Sequence, residues 1–368
     1  MKERFHQPDY PLLITLAILV IYGLVMLSSA SSVISFEKFG SSNYLLRHQI
    51  VYGIVIGITL FLFTAKVDYH IWRKFSFALL ALNILLLLAV FLPGIGFESG
   101  GARRWIQLGP TLFQPSELLK LTFILYLATL FAKNKEGIKD VAFGLIPFLV
   151  IVGSITFLIM LQPDMGTMVT IALIGLVIFF VAGAPLKHVV WVILGATGLL
   201  FLLIKIAPYR LARITVFLNP ALDPQGIGYQ INQALLAIGS GGILGLGLGH
   251  SRQKYLYLPE VTGDSIFAII AEELGLFFSL ILIILFLVLM QRGFRIAKNA
   301  PDMFGKLVAT GITAWLVLQA FINIAAMVTI LPLTGIPLPF VSYGSSALVT
   351  SLIAVGILVN ISKQTKKI

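Results

Sequence analysis

The sequence contains no cysteine. Disulfides, zinc–thiolate sites and thiol catalysis are therefore excluded, although the compartment stays open. Charge is scarce too, at 11% of residues, against about 25% in an ordinary soluble domain. No glycine-rich nucleotide-phosphate loop is present, so direct use of ATP is not expected. Alternating strand patterns are lacking, which argues against a membrane β-barrel. Acidic residues are the scarcer sign, and the net charge is +11. The basic residues are scattered over short loops, with no stripe or tail, so that excess does not indicate nucleic acid.

What fills the chain is apolar sequence. Of 368 residues, 58% are hydrophobic, and the mean hydropathy is +1.00. Many long apolar runs indicate an all-α polytopic membrane protein, read as one transmembrane domain over 1–368. Runs of roughly 17–25 residues give ten candidate helices. Their limits are 11–33, 47–65, 75–92, 114–132, 143–161, 166–182, 187–206, 265–290, 307–331 and 345–361. The fifth and sixth are divided only by QPDMG, where Pro163 and Asp164 argue for a tight turn. The first run, Pro11 to Leu27, is longer than the roughly 7–15 residues of a signal-peptide core, so an uncleaved first span is expected.

Ten spans put both termini on one side. Sixteen loop Lys and Arg residues share that side and eight lie on the other, so the termini are expected to be cytoplasmic. Six of the eight exceptions form the pairs Arg103/Arg104, Arg210/Arg213 and Arg252/Lys254. They occupy the two longest outward loops, roughly 93–113 and 207–264. Paired cations beside polar, Gly-rich sequence suggest a bound anion such as phosphate. The plainer reading is that they anchor loops to lipid headgroups or carbonyls. Within 207–264, between spans seven and eight, QINQALLAI has helical spacing and suggests a short interfacial helix. The glycines after it permit close backbone approach to a ligand, or simply a packing lid.

Polar residues inside spans are costly and usually face a partner or a cavity. Glu117 and Lys120 share one helix face, as an ion pair or as substrate contacts. Asp164, at the outer end of the fifth span, is a helix cap or a catalytic group. Asp264 precedes an apolar helix at the outer surface, where an N-cap is the simplest role. Glu260 is a second acid in that loop, and Glu272 and Glu273 are expected to pair with cations or bind backbone groups. In LPLTGIPLPFVSYGSSALV, Pro332, Pro337 and Pro339 forbid regular helix, while Ser342, Tyr343, Ser345 and Ser346 supply hydroxyls. Broken backbone at membrane depth is tolerated where it lines a protein cavity. Three outward loops are thus expected to converge on one polar site.

Taken together, these segments resemble the SEDS family, most closely its FtsW branch. The matching stretches are GARRWIQLG (101–109), FQPSELLKL (113–121), QPDMGT (162–167), the run 217–260 ending in QKYLYLPE, IFAIIAEELG (266–275) and LPFVSYGSS (338–346). They occur in family order over most of the chain. The resemblance implies ten spans and a peptidoglycan glycosyltransferase acting on lipid II at the outer face of the cytoplasmic membrane. The family's essential aspartate, in a His-Thr-Asp-Phe-Ile-Phe pattern, corresponds to Asp264 within Thr262, Gly263, Asp264, Ser265, Ile266 and Phe267. The neighbours of that aspartate depart from the pattern, as does Gly344-Ser345-Ser346-Ala347 where the family commonly has Gly-Gly-Ser-Ser.

On this resemblance Asp264 is the expected general base. Arg103, Arg104, Arg210, Arg213 or Lys254 would stabilise the departing diphosphate, with a divalent cation, Mg or Mn, able to share the task. Glu117, Lys120, Asp164, Glu260, Ser342, Ser345 and Ser346 are candidate substrate contacts. The implied partners are lipid II, glycan on undecaprenyl pyrophosphate, a class B penicillin-binding transpeptidase and other divisome or elongasome membrane proteins, with the division septum as a possible site. Two rival readings are a lipid II flippase and a non-catalytic cell-wall scaffold.

Overall fold

Each expected span is a helix in the computed structural model, which describes residues 6–99, 101–134, 136–206, 208–219, 222–223 and 226–365. Lys2, Arg4, Lys135, Lys366 and Lys367, used in the orientation argument, lie outside the described residues. The first three spans comprise α1 (Tyr10–Ala30), α2 (Ser32–Phe39), α3 (Tyr44–His48), α4 (Ile56–Lys66) and α5 (His70–Ala89). A π-helical stretch, Gln49–Val55, joins α3 to α4. The next four spans are α6 (Pro115–Lys133), α7 (Ile146–Leu161), α8 (Met165–Val181) and α9 (Leu186–Ile206). The outward segment then holds α10 (Pro208–Leu218) and α11 (Ile227–Gly241), followed by α12 (Ile266–Asn299), α13 (Met303–Met327) and α14 (Ser345–Ser362). Among the described residues nine helices are long and apolar enough to cross a membrane, and α8 is a shorter apolar helix of 17 residues.

Helix starts follow from local chemistry. Asp9, Asp164 and Asp302 accept hydrogen bonds from first-turn amides of α1, α8 and α13, satisfying donors that have no partner within the helix. Proline occupies the first turn of α6, where its missing N–H costs nothing. Burial then sorts the bundle: 89% of the central window of α13, 83% of α14 and 72% of α6 is buried, against 6% of α9. The first three form the centre, and α9 faces lipid. Where α4 meets α14, Gly57 and Gly356 leave room for Leu352 and Thr64, the small-residue contact that lets membrane helices approach closely.

The first and last described segments meet. The His6 amide donates to the Lys363 carbonyl at 3.0 Å, and Arg292 holds Asp9 with two nitrogens, the shortest contact being 2.6 Å. His6 and Lys363 therefore lie on one side, as an even number of spans between them requires.

Three elements depart from expectation. The loop 93–113 folds into a three-stranded antiparallel sheet, β1 (Gly96–Ser99), β2 (Ala102–Leu108) and β3 (Thr111–Phe113), in that order. The expected interfacial helix exists as α11, but it packs on α12 through Ile231, Ala234 and Ala237, all buried. A second helix, α10, stands where only loop was expected.

The Gly-rich segment after α11 approaches backbone, not a ligand. α12 is 34 residues long, about 51 Å at 1.5 Å per residue, well beyond a hydrocarbon core of about 30 Å. It breaks at Gly275, whose φ of 75° and ψ of −175° leave the helical region. The break frees backbone groups, and the loop supplies their partners. Leu246 and Gly247 amides donate to the Glu272 and Glu273 carbonyls at 2.9 and 3.0 Å. Leu276 and Phe277 amides donate to the Gly242 and Ile243 carbonyls at 2.9 and 3.1 Å. A Cβ on Gly245 would strike the Glu273 carbonyl, and one on Gly275 would strike the loop backbone.

Gly275→Ala should consequently destabilise the protein by about 1–3 kcal/mol, through the collision and the positive φ. Gly195→Ala on α9, where an added Cβ meets nothing within 4 Å, should leave stability unchanged or slightly raised. Thermal unfolding of the two variants in the same detergent measures the difference.

Candidate functional site

Asp264 stands in a tight turn just before α12. The amides of Gly263 and Ser265 both donate to the Glu260 carbonyl, at 2.9 and 3.2 Å. This turn makes Ser265 the residue at the helix cap and leaves the Asp264 carboxylate without a bond to any first-turn amide of α12. The expected N-cap is thus not made: the chain closes on Glu260 first. Glu260 itself sits at φ 51°, the left-handed backbone that such a closure needs.

Three elements hold the turn. On α13, the buried Asn323 donates both hydrogens of its amide, to the carbonyls of Asp264 and Ile336, each at 2.8 Å. From the last loop, the Ser342 hydroxyl donates to the Gly263 carbonyl at 2.6 Å and accepts from the Leu338 amide at 2.8 Å. The Tyr343 amide donates to the Thr262 carbonyl at 2.8 Å. From α11, Gln230 Nε2 donates to Ser265 Oγ at 3.0 Å and reaches Asp264 Oδ1 at 3.5 Å.

The charges around the carboxylate oppose one another. Burial, and then the like charge of Glu260, push Asp264 up to about 7; hydrogen bonding and the Arg213 guanidinium pull the other way without cancelling the rise. Arg213 comes from α10, is exposed, and donates to the Leu333 carbonyl at 3.4 Å. A half-buried acid that changes charge near neutrality, beside an exposed guanidinium, can take a proton next to a developing anion.

The other candidate residues are distributed as follows. Lys254 was expected to bind an anion. It is buried, and its ammonium contacts Glu273 Oε1 at 2.9 Å, the Gly249 carbonyl and Ser29. The pair Arg252/Lys254 is therefore split, because the buried Glu273 needs a countercharge and Lys254 supplies it. Glu272 accepts from the Ser251 hydroxyl and from the Arg252 amide. Arg103 pairs with Glu98 at 2.9 Å across β1 and β2. Arg104 donates to the carbonyls of Gln162 and Pro163 at 2.9 and 2.7 Å, tying the sheet to the QPDMG turn. Both arginines of β2 are thus engaged by protein groups, Arg103 by Glu98 and Arg104 by two carbonyls. Asp164 caps α8 through the Thr167 amide and hydroxyl. The Arg210 side chain lies outside the described residues.

Of the three outward loops, 207–264 and 328–344 meet at Asp264. The sheet joins the end of the second: Ser346 Oγ donates to the Leu112 carbonyl and accepts from the Gln114 amide, both at 3.1 Å. Ser345 lies 3.5 Å from His48 Nδ1, which Tyr343 Oη approaches at 3.1 Å.

Glu117 and Lys120 form a buried pair at 2.8 Å, and Lys120 also donates to Gln319 Oε1 at 2.7 Å. Gln319 in turn donates to the Pro337 carbonyl at 2.9 Å, one residue from the carbonyl that Asn323 holds. A continuous polar chain therefore runs from the pair on α6, through Gln319 and Asn323 on α13, to the backbone of Asp264. Sequence reasoning did not single out Gln319 or Asn323. Their signal was present: two amides four residues apart inside an apolar span, which puts them on one helix face.

Comparison with known proteins agrees with this layout. A family model described as "Cell cycle protein", FtsW/RodA/SpoVE, matches residues 10–367. "Stage V sporulation protein E" of Bacillus subtilis is 43% identical over 367 residues, covering 100% of both chains. "Probable peptidoglycan glycosyltransferase FtsW" of Trichlorobacter lovleyi is 39% identical over 100% of this chain and 96% of its own length. A solved chain from a peptidoglycan synthase complex that coordinates polymerization and crosslinking superposes with a TM-score of 0.78 at 25% identity, over 96% of this chain and 97% of that one.

Lys120→Met leaves Glu117 buried without its cation and should cost about 3–5 kcal/mol, whereas adding Glu117→Gln to it should recover most of that loss. Thermal unfolding of the single and double variants reads the recovery. A double variant as unstable as Lys120→Met alone would refute this role for the pair.

Proposed function

This chain belongs to the FtsW/RodA/SpoVE family of cell-cycle proteins, and from that premise we propose that it is a peptidoglycan glycosyltransferase with Asp264 as its general base. The observation that carries the reading is the half-buried Asp264 carboxylate, shifted to about 7 and flanked by Glu260 and Arg213 at an outward loop. At neutral pH such a group holds an appreciable ionised fraction and is still basic enough to accept a proton, the balance a general base requires.

The acceptor is a lipid II molecule and the donor is glycan on undecaprenyl pyrophosphate. Asp264 takes the proton of the acceptor's GlcNAc 4-hydroxyl as that oxygen attacks the donor's anomeric carbon. The C1–O4 bond forms, the bond from C1 to the phosphate oxygen breaks, and the diphosphate leaves with the electron pair. Attack opposite the leaving group inverts the centre and gives a β-1,4 link. Arg213 offers the departing charge a planar guanidinium whose one hydrogen bond among the described residues is to a carbonyl at 3.4 Å.

Among the described residues no group of three or more His, Cys, Asp or Glu is placed to hold a metal ion. A divalent cation, Mg or Mn, would arrive with the diphosphate, be held there by Glu260, and add charge stabilisation to the leaving group. The flippase reading drew on Glu117 and Lys120, and those charges are spent on each other and on Gln319.

The chain is an integral membrane protein, and the excess of basic loops supports cytoplasmic termini with Asp264 on the outer face. A class B penicillin-binding transpeptidase is the proposed partner, supported by the similarity to the chain from the synthase complex. Action at the division septum is proposed on the likeness to FtsW.

Purified protein, given lipid II with and without such a transpeptidase, should make glycan strands, and Asp264→Asn should slow polymerisation by about 10²–10⁴-fold. A folded Asp264→Asn protein polymerising at the normal rate would show that another group is the base. The rate should also rise with pH through about 7 as the carboxyl ionises. Glu260→Gln removes a like charge, lowers that pKa and moves the acidic limb to lower pH; Arg213→Ala moves it higher. The rate measured against pH for the three proteins gives the sign directly.

A further inference from the structure

A surface depression of about 520 Å³ lies away from the contacts of Asp264. It is lined by Gly249, His250, Ser251, Arg252, Tyr255 and Tyr257. Its frame is fixed from below. The Ser251 hydroxyl and the Arg252 amide are bonded to Glu272, and the Lys254 amide donates to Ser251 Oγ at 3.1 Å. Lys254 itself is anchored on Glu273. On this frame the Arg252 side chain is exposed, and its guanidinium has no hydrogen bond or ion pair with a described residue. His250 Nδ1 faces its neighbour Leu248's carbonyl at 3.2 Å, and Nε2 has no partner among the described residues.

The setting identifies what that guanidinium meets. The adjoining loop tip exposes Ile243 and Leu244 at 72% and 74%, and Tyr255 and Tyr257 stand out at 58% and 56%. Bare aliphatic side chains on a membrane protein belong in hydrocarbon, and tyrosines beside them mark the headgroup level. A guanidinium fixed at that level lies where lipid phosphates lie, and its fork matches their oxygens. The aliphatic side chains of Ile243 and Leu244, on a loop bonded to the same stretch of α12 as the Arg252 amide, can receive the chains of such a lipid.

We propose that this depression binds the phosphate of an anionic lipid headgroup in the outer leaflet, with Arg252 as the principal contact and His250 and the tyrosine hydroxyls around it. The site goes beyond the glycosyltransferase reading and does not depend on it. Two lipids offer this chemistry, a bulk phospholipid such as phosphatidylglycerol and a prenyl phosphate of the kind the reaction handles.

The test uses the full chain in phosphatidylcholine nanodiscs doped with either phosphatidylglycerol or a long-chain prenyl phosphate, followed by native mass spectrometry of retained lipid. Wild type should retain at least one of the two in preference to phosphatidylcholine. Arg252→Ala should lower that retention about fivefold, the effect of one cation near a membrane surface, and Arg252→Lys should restore part of it. The lipid that responds names the source. Equal retention by wild type and Arg252→Ala would overturn the proposal, and so would a variant that keeps its lipid and loses only transpeptidase binding. Unfolding curves for Arg252→Ala should match wild type, because the side chain has no bond to a described residue to lose; a destabilised variant would also count against the site.

Discussion

An unpaired backbone amide or carbonyl costs several kcal/mol in hydrocarbon, and this chain breaks a helix inside the membrane. The break at Gly275 is stable because the loop 242–247 answers it bond for bond, two carbonyls and two amides. Much of the outward half depends on that repair. The loop can reach the break only if α11 lies against α12, and α11 carries Gln230 to the Asp264 turn. The same loop brings Ser251 and Lys254 over Glu272 and Glu273, so two buried carboxylates become the fixed points of an outward surface. Charges that look misplaced in an apolar span are the means by which a glycine-rich loop acquires a definite shape.

A second constraint works from the opposite side of the site. The last loop contains three prolines and cannot satisfy its carbonyls by helix. Gln319 and Asn323 supply the missing donors to Pro337 and Ile336, and Asn323 uses its other hydrogen on Asp264. The Asp264 turn and the proline loop therefore share one clamp on the most deeply buried helix. This explains why an acid at the water boundary can be held by groups from the bundle's centre. It also gives the ion pair on α6 a role that neither substrate binding nor simple neutralisation describes: it orients Gln319, which steadies the loop.

Much of this was readable in the residues, and the exceptions have physical causes. Span positions follow from hydropathy alone, because the bilayer fixes the required length. Asp264 stood out as an acid beside an apolar run, and the convergence of 207–264 with 328–344 was foreseeable from their broken backbone. The sheet at 96–113 was not, since its strands are short and do not alternate clearly; a burial pattern of a single buried face is weak in β2. Cation pairs misled for a different reason. Adjacent charges in sequence read as one site, yet Arg252 and Lys254 point to opposite environments, one exposed and one buried. Which member of a pair is internal depends on a carboxylate nineteen residues away, and no local pattern reports that.

The charge state of Asp264 is best understood as a compromise set by three separate elements. Burial by the surrounding loops and repulsion from Glu260 favour the neutral acid; the residue's own backbone amide, then Gln230 and Arg213, from α11 and α10, favour the anion. An acid held only by the first two would stay protonated at neutral pH and could not act as a base. One held only by the latter three would ionise fully and be too weak a base to matter. Gln230 of α11 both braces the turn and favours the anion, whereas Arg213 acts on charge, and Asn323 and Ser342 act on position, so the two properties share one residue and are otherwise set by different elements. On the proposed reaction, movement of α10 that carries Arg213 toward the leaving diphosphate would weaken its hold on Asp264 and raise the acid's affinity for a proton at the step where it would receive one. The same guanidinium could thus serve both ends of the proposed transfer, since its one hydrogen-bond partner among the described residues is a carbonyl it can release.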